Sequence, residues 1–263
     1  MIPSLIHGSL SQVQGFLLIL MRVGPILFMM PLFNARNLPN LLKMGLALTV
    51  SLVLWPVVSL DPSLFPTDPY GFGFFLVSEL MIGFVLSLSV QLVFAGVQLG
   101  GELAGFQMGL SMASTIDPQS GSDTTLIAQL QYLLGLLIFL SIDGHHWFFL
   151  ALVRSFQMLP PGEVVLKGGL FRHFVDLSGR IFLIALQIAA PVMAILFLIQ
   201  IALGIVARTV PQVNILMSSF PLTISLGLIF LGLSLELLWP YLRNLFEESG
   251  KGLVLTLLPL MKR

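Results

Sequence analysis

The chain has 263 residues, 57% hydrophobic and 9% charged, and its twelve basic and twelve acidic residues balance to zero net charge. A mean hydropathy of +1.01 excludes an ordinary soluble domain and indicates a polytopic membrane protein, and the balanced charge offers no footprint for nucleic acid. Cysteine is absent, so disulfides, thiolate metal sites and a cysteine nucleophile are excluded.

The N-terminal run "MIPSLIHGSLSQ" has no basic n-region, and Arg22 interrupts the first apolar run, so a cleaved signal peptide is not expected. Six apolar stretches follow: Leu10–Phe33, Leu41–Leu60, Phe72–Gly100, Leu126–Val153, Leu177–Ala207 and Val213–Leu242. Each reaches the run of about 20 residues that crosses a bilayer. With no internal repeat and no long linker, residues 1–263 read as one all-α membrane domain. It should contain about six long, kinked helices arranged in helical hairpins.

These stretches are polar for membrane helices. Arg22, Glu79, Gln91, Asp143, Arg180, Gln187, Gln200 and Glu236 lie in or beside them, and Pro25, Pro56, Pro191 and Pro221 interrupt them. A charge facing lipid costs about 3 kcal/mol even on the lenient insertion scale, and proline frees a carbonyl that lipid cannot satisfy. So many polar groups together favour a larger assembly, which the resemblance given below makes a helical hetero-oligomer. The basic loops cannot all fall on one side of six plain spans. The conflict eases if the third and fourth stretches make one crossing, with the N-terminus outside.

Glycine punctuates the end of the third stretch. Gly96, Gly100 and Ala104 form one four-residue ladder, and Gly101, Gly105, Gly109 and Ala113 form another. Residues four apart share a helical face, so each ladder admits a close backbone neighbour. A helix over Phe72–Leu110 would be about 58 Å long, against a hydrocarbon core of about 30 Å. It must break, tilt steeply or leave the bilayer. "DPQSGSD" at Asp117–Asp123 is rich in turn formers, and Asp123 is placed to cap the next helix. A glycine-faced helix that ends in such a segment, with Phe106, Met108 and Met112, reads as a movable plug, since methionine adapts to irregular surfaces. An ordinary tightly packed hairpin fits the same residues.

Further along, "DGHH" at Asp143–His146 is the best metal candidate. Asp143 and His146 share a helical face, but His145 points about 100° away, and only His7 and His173 remain elsewhere. No metal and no cofactor are expected, and a kink at Gly144 is. Glu79, Glu102 and Glu236 fit either a proton path or structural hydrogen bonding. Arg22 and Arg208 read as anchors for carbonyls or carboxylates. No phosphate loop, GxSxG elbow or HExxH occurs, so no enzyme is expected.

Several segments in order resemble the FliR family of flagellar biosynthetic proteins and its type III secretion counterparts. They are "RVGPILFMMPLF" at Arg22–Phe33, "LPNLLKMGLAL" at Leu38–Leu48, "SELMIGFVLSLSVQ" at Ser78–Gln91 and "GGELAGFQMGLSMASTIDP" at Gly100–Pro118. "DGHHW" at Asp143–Trp147 and "ARTVPQVNILMSSFPLTISLGL" at Ala207–Leu228 complete the set, and the match spans nearly the whole chain. The resemblance implies a core subunit of the flagellar export gate in the bacterial inner membrane, partly displaced toward the periplasm. FliP and FliQ subunits would complete the pore, FlhB would dock on it, and unfolded flagellar subunits would pass through. It implies a plug over 105–123, including Gly105, Phe106, Met108, Gly109, Met112, Asp117 and Pro118. It also implies a FliQ-like hairpin over 177–242, with Arg208, Pro211, Gln212 and Asn214 at a partner-facing turn. The family often has an aromatic residue where this chain has Met112. A secondary transporter using intramembrane carboxylates is the competing reading, and it calls for an internal repeat that the sequence lacks.

Overall fold

A computed structural model describes residues 2–33, 38–58, 60–61, 65–66, 68–110, 124–162, 168–209 and 215–262 of the chain. Among the described residues all regular structure is helical. In chain order the helices are α1 (Ile2–Met29), α2 (Asn40–Leu54), α3 (Pro69–Met108), α4 (Leu126–Ser141) and α5 (Gly144–Met158). They continue with α6 (Gly168–Thr209), α7 (Ile215–Gly252), a π-helical turn at Leu253–Leu257, and α8 (Leu258–Met261). The chain is an all-α membrane protein. Among the described residues four segments are long and apolar enough to span a bilayer: Ser11–Met29, Pro69–Met108, Gly168–Thr209 and Ser219–Met261. The α4–α5 pair passes the same test together as a fifth, broken span.

The helix pattern departs from six plain stretches in several places, each with a local cause. The Leu41–Leu60 stretch yields only the 15 residues of α2, about 22 Å of helix. Pro56 follows its C-terminus and cannot continue the hydrogen-bond ladder. The Leu126–Val153 stretch is not one helix but two, because Asp143 adopts a left-handed backbone at φ 55°. The kink expected at Gly144 therefore belongs to the residue before it. By contrast α3 is unbroken for 40 residues, roughly 60 Å. Helices α1, α6 and α7 run through Pro25, Pro191 and Pro221. Thr125, not Asp123, caps α4, its side chain accepting from Ala128 N–H.

Helix α2 departs from the burial pattern of a soluble amphipathic helix. Its buried positions are Lys43, Ala47, Ser51 and Leu54, spaced at one helical face. Leu41, Leu42, Met44, Leu48 and Leu52 are exposed instead. Lys43 and Ser51 are buried beside Ala47 and Leu54 while these large apolar side chains face outward, as a lipid or protein neighbour allows.

Two compact units divide the chain. The first comprises Met1–Gln91, Asp143–Asp176 and Glu247–Arg263; the second comprises Leu92–Ile142 and Leu177–Phe246. In the second, Phe94 packs on Tyr132, Phe139 and Phe246 with ring centroids 4.9–5.7 Å apart. There Tyr241 Oη on α7 donates to Gln187 Oε1 on α6 at 2.6 Å.

Candidate functional site

Helix α3 stops at Met108 for a reason that lies in one residue. Gly109 has φ +89°, a conformation open to glycine at little cost. Its N–H donates to Phe106 O at 3.0 Å, and Leu110 N–H donates to Gly105 O at 3.0 Å. These two bonds make a Schellman terminus with Gly109 just past the helix. The ladder read as Gly101, Gly105, Gly109 and Ala113 thus has only its first two rungs inside α3. Gly109 faces Phe220 instead, where an added methyl would lie 2.7 Å from the ring.

The last turn of α3 is fastened from several directions within the second unit. Met108 is fully buried with Ala104, Ile127, Val192, Leu196 and Leu231. Its side chain lies against Gly227, where a Cβ would come within 2.6 Å of Met108 Cγ. Thr223 Oγ1 donates to Met108 O at 3.1 Å, and Gln107 Nε2 donates to Met193 O at 3.2 Å. Phe106, two residues from Met108, is 73% exposed. The two residues expected to act together as a plug therefore face different surroundings. A cavity of about 260 Å³ adjoins this terminus, lined by Gln107, Gly109, Gln200, Gly204, Phe220 and Thr223 among others.

The ladder glycines inside α3 meet α6 on one face and the start of α4 on the other. A methyl on Gly96 would lie 3.0 Å from Ile184, and one on Gly100 would lie 2.9 Å from Ile188, both on α6. On the adjacent face, a Cβ at Gly101 would collide with the Ala128 Cα, and one at Gly105 would lie 2.7 Å from Thr125 Oγ1. Glu102, between these two, accepts the Thr125 N–H with its carboxylate oxygens at 3.2 and 3.4 Å. A carboxylate at a helix N-terminus meets both unpaired N–H groups and the positive end of the helix dipole. Glu102 is thus placed to dock α4.

The first unit holds a buried polar cluster in which Arg22, read as an anchor, meets a partner that the sequence did not identify. Arg22 and Glu79 side chains are both fully buried, with Nε donating to Oε2 at 2.5 Å. Nη1 donates to Ser155 Oγ and Nη2 donates to Leu159 O, each at 3.0 Å. Leu159 is the C-cap of α5, so the guanidinium also serves the negative end of that helix. Its face lies 4.0 Å from the Phe156 ring centroid. Arg22 binds a carboxylate and a carbonyl, as an anchor does. The Glu79 partner was invisible because it sits 57 residues away, beyond any helical spacing. Gly83 completes the arrangement: a side chain there would strike the Arg22 carbonyl.

Glu236 is exposed on α7, so the three carboxylates read as a proton path occupy dissimilar environments: ion-paired, hydrogen-bonded and exposed. Arg208 is exposed in the last turn of α6. Pro211, Gln212 and Asn214 lie outside the described residues, as do Met112, Asp117, Pro118 and the rest of 111–123. Asp143, His145 and His146 gather at the α4–α5 bend.

The model of bacterial export proteins, family 1, matches residues 13–249. The flagellar biosynthetic protein FliR of Bacillus subtilis (strain 168) is 36% identical over 244 residues, covering 92% of this chain and 93% of that protein. The FliR proteins of Escherichia coli (strain K12) and Aquifex aeolicus (strain VF5) are 34% and 30% identical over 233 residues. They cover 87% and 88% of this chain, and the same shares of their own lengths. A family model over residues 13–249 and relatives 30–36% identical over nearly the whole chain give one assignment: the chain belongs to the FliR family of bacterial export proteins, the membrane-embedded components of the flagellar export apparatus.

Proposed function

We propose that this chain is the core gating subunit of the flagellar type III export apparatus, assembling with FliP and FliQ in the bacterial inner membrane and docking FlhB. Unfolded flagellar subunits pass through the pore it helps to form, and residues 105–123 obstruct that pore when it is closed. The α6–α7 hairpin supplies the FliQ-like part over 177–242, with the Arg208–Asn214 turn toward FlhB. The observation that carries this reading is the terminus of α3. A helix end held by Gly109, the Met108 carbonyl and the buried Met108 side chain gives the following segment a fixed base.

The exposed Phe106, not Met108, is the described side chain free to contribute closing contacts. Only contacts present in one state move an equilibrium. Removing one or two large apolar contacts, at about 2 kcal/mol each, shifts opening by tenfold or more. Phe106→Gly with Met112→Gly is therefore expected to let ions and small dyes enter cells that make the complete complex. Co-purification of FliP and FliQ with the variant establishes that assembly is intact. An assembled variant complex as tight as wild type overturns the plug and leaves an ordinary packed loop.

A further inference from the structure

We propose that Asp143, His145 and His146 form a binding site for a divalent transition ion of the class that favours imidazole, with Zn²⁺ as its simplest representative. One ligand atom from each residue lies within 4.8 Å of the others. Helical spacing alone sets His145 apart, but that projection does not apply to Asp143. The residue precedes the helix and has a left-handed backbone, φ 55° and ψ 32°, which brings its carboxylate over the first turn of α5. His146 Nδ1 and Asp143 Oδ1 are 3.5 Å apart. Bonds of about 2.0–2.1 Å in a tetrahedral zinc site set adjacent ligand atoms about 3.3–3.4 Å apart, so this edge is already formed.

The third ligand is His145, whose ring stacks on His146 with centroids 4.3 Å apart and planes 32° apart. Its Nδ1 is buried with no hydrogen-bond partner, which is costly unless something fills that position. The Asp143 and His146 side chains are 71% and 69% exposed, so small rotations close the remaining distance without disturbing the packed interior. Two imidazoles and one carboxylate make a three-ligand set with open positions for water or a partner's donor. The helix N-terminus opposes a cation by a fraction of a charge, and the full negative charge of Asp143 offsets that. A bound ion would tie the first turn of α5 to the left-handed residue that precedes it.

The test uses the full chain in detergent micelles, dialysed against chelator-buffered Zn²⁺, with bound metal counted per chain by atomic emission. One ion per chain is expected, with unchanged affinity when His7 and His173, the remaining histidines, are replaced by Gln. His145→Ala, His146→Ala and Asp143→Asn are each expected to weaken binding at least tenfold. Asn tolerates the left-handed backbone, so Asp143→Asn decides the matter if either histidine variant is not recovered folded. Zinc-edge absorption should show two imidazoles around the ion. Absence of saturable binding, or one-to-one binding that survives Asp143→Asn, overturns the proposal.

Discussion

Removing one partner of the Arg22–Glu79 pair should be among the most damaging single changes in the first unit. Arg22→Met leaves the Glu79 carboxylate buried without its cation and strips donors from Ser155 Oγ and Leu159 O. Breaking a buried ion pair costs about 3–5 kcal/mol, whereas replacing both partners with apolar groups is often neutral. Glu79→Gln is expected to be milder, because Arg22 keeps the Leu159 carbonyl, the Ser155 hydroxyl and the face of Phe156. That cation–π contact alone is worth about 0.5–2 kcal/mol. The double variant Arg22→Met with Glu79→Leu should recover much of the loss. A cost of about 3 kcal/mol lowers the folded-to-unfolded ratio by more than 100-fold. The assay is unfolding in mixed detergent micelles at rising SDS fraction, followed by circular dichroism for Arg22→Met, Glu79→Leu and their double variant, with Glu79→Gln alongside. The reasoning fails if Arg22→Met unfolds at the wild-type SDS fraction. It also fails if the two single costs simply add in the double variant, since a coupled pair must show an interaction energy.

At Gly101 a graded loss with side-chain volume is expected, Ala costing about 1–3 kcal/mol and Leu more, because a Cβ there meets the backbone of Ala128. Gly232→Ala, where nothing lies within 4 Å of the added methyl, serves as the control and should be neutral or stabilising by about 1 kcal/mol in the same unfolding assay. Gly109→Ala should lose about 1–2 kcal/mol from the left-handed backbone and more from the Phe220 ring. Gly109→Asn should return part of the backbone share, and equal stability of Gly109→Ala and wild type would refute the Schellman terminus.

Sequence alone resolves the membrane class, the helix-rich architecture and the glycine faces, because apolar run length and four-residue spacing are local signals. What it hides are features set by a single backbone angle or by distant partners. Gly101 and Gly109 look alike in the ladder, yet one is a helical contact and the other a left-handed stop. The difference rests on where the helix ends, and four-residue spacing carries no information about that. Asp143, whose backbone breaks the 126–153 stretch, is not glycine, so the adjacent Gly144 drew the attention. Glu102 looked like a candidate proton carrier because its acceptor role toward Thr125 spans 23 residues. Phe106 and Met108 lie two apart, a spacing that turns side chains to different sides of a helix, and their burial follows it.

The proposed gate gains a separable energetics from this arrangement. If α3 stays in place when the pore opens, its contacts exist in both states. The glycine contacts with α4 and α6, the Gly109 terminus, buried Met108 and the Thr223 bond then cannot bias the equilibrium, however strong they are. They set only how much correctly built chain is present. Phe106, 73% exposed and attached to that frame, is not buried against those elements. Variants at Gly101, Gly109 or Met108 should therefore lower the amount of assembled complex while leaving each surviving complex tight. Variants at Phe106 should do the reverse, preserving assembly and raising leakage per complex. Measuring leak against the quantity of complex, and not leak alone, distinguishes a fixed base carrying a movable obstruction from a segment that is packed throughout. Proportional loss of both quantities at every one of these positions would leave no part of α3 or its terminus acting as a gate.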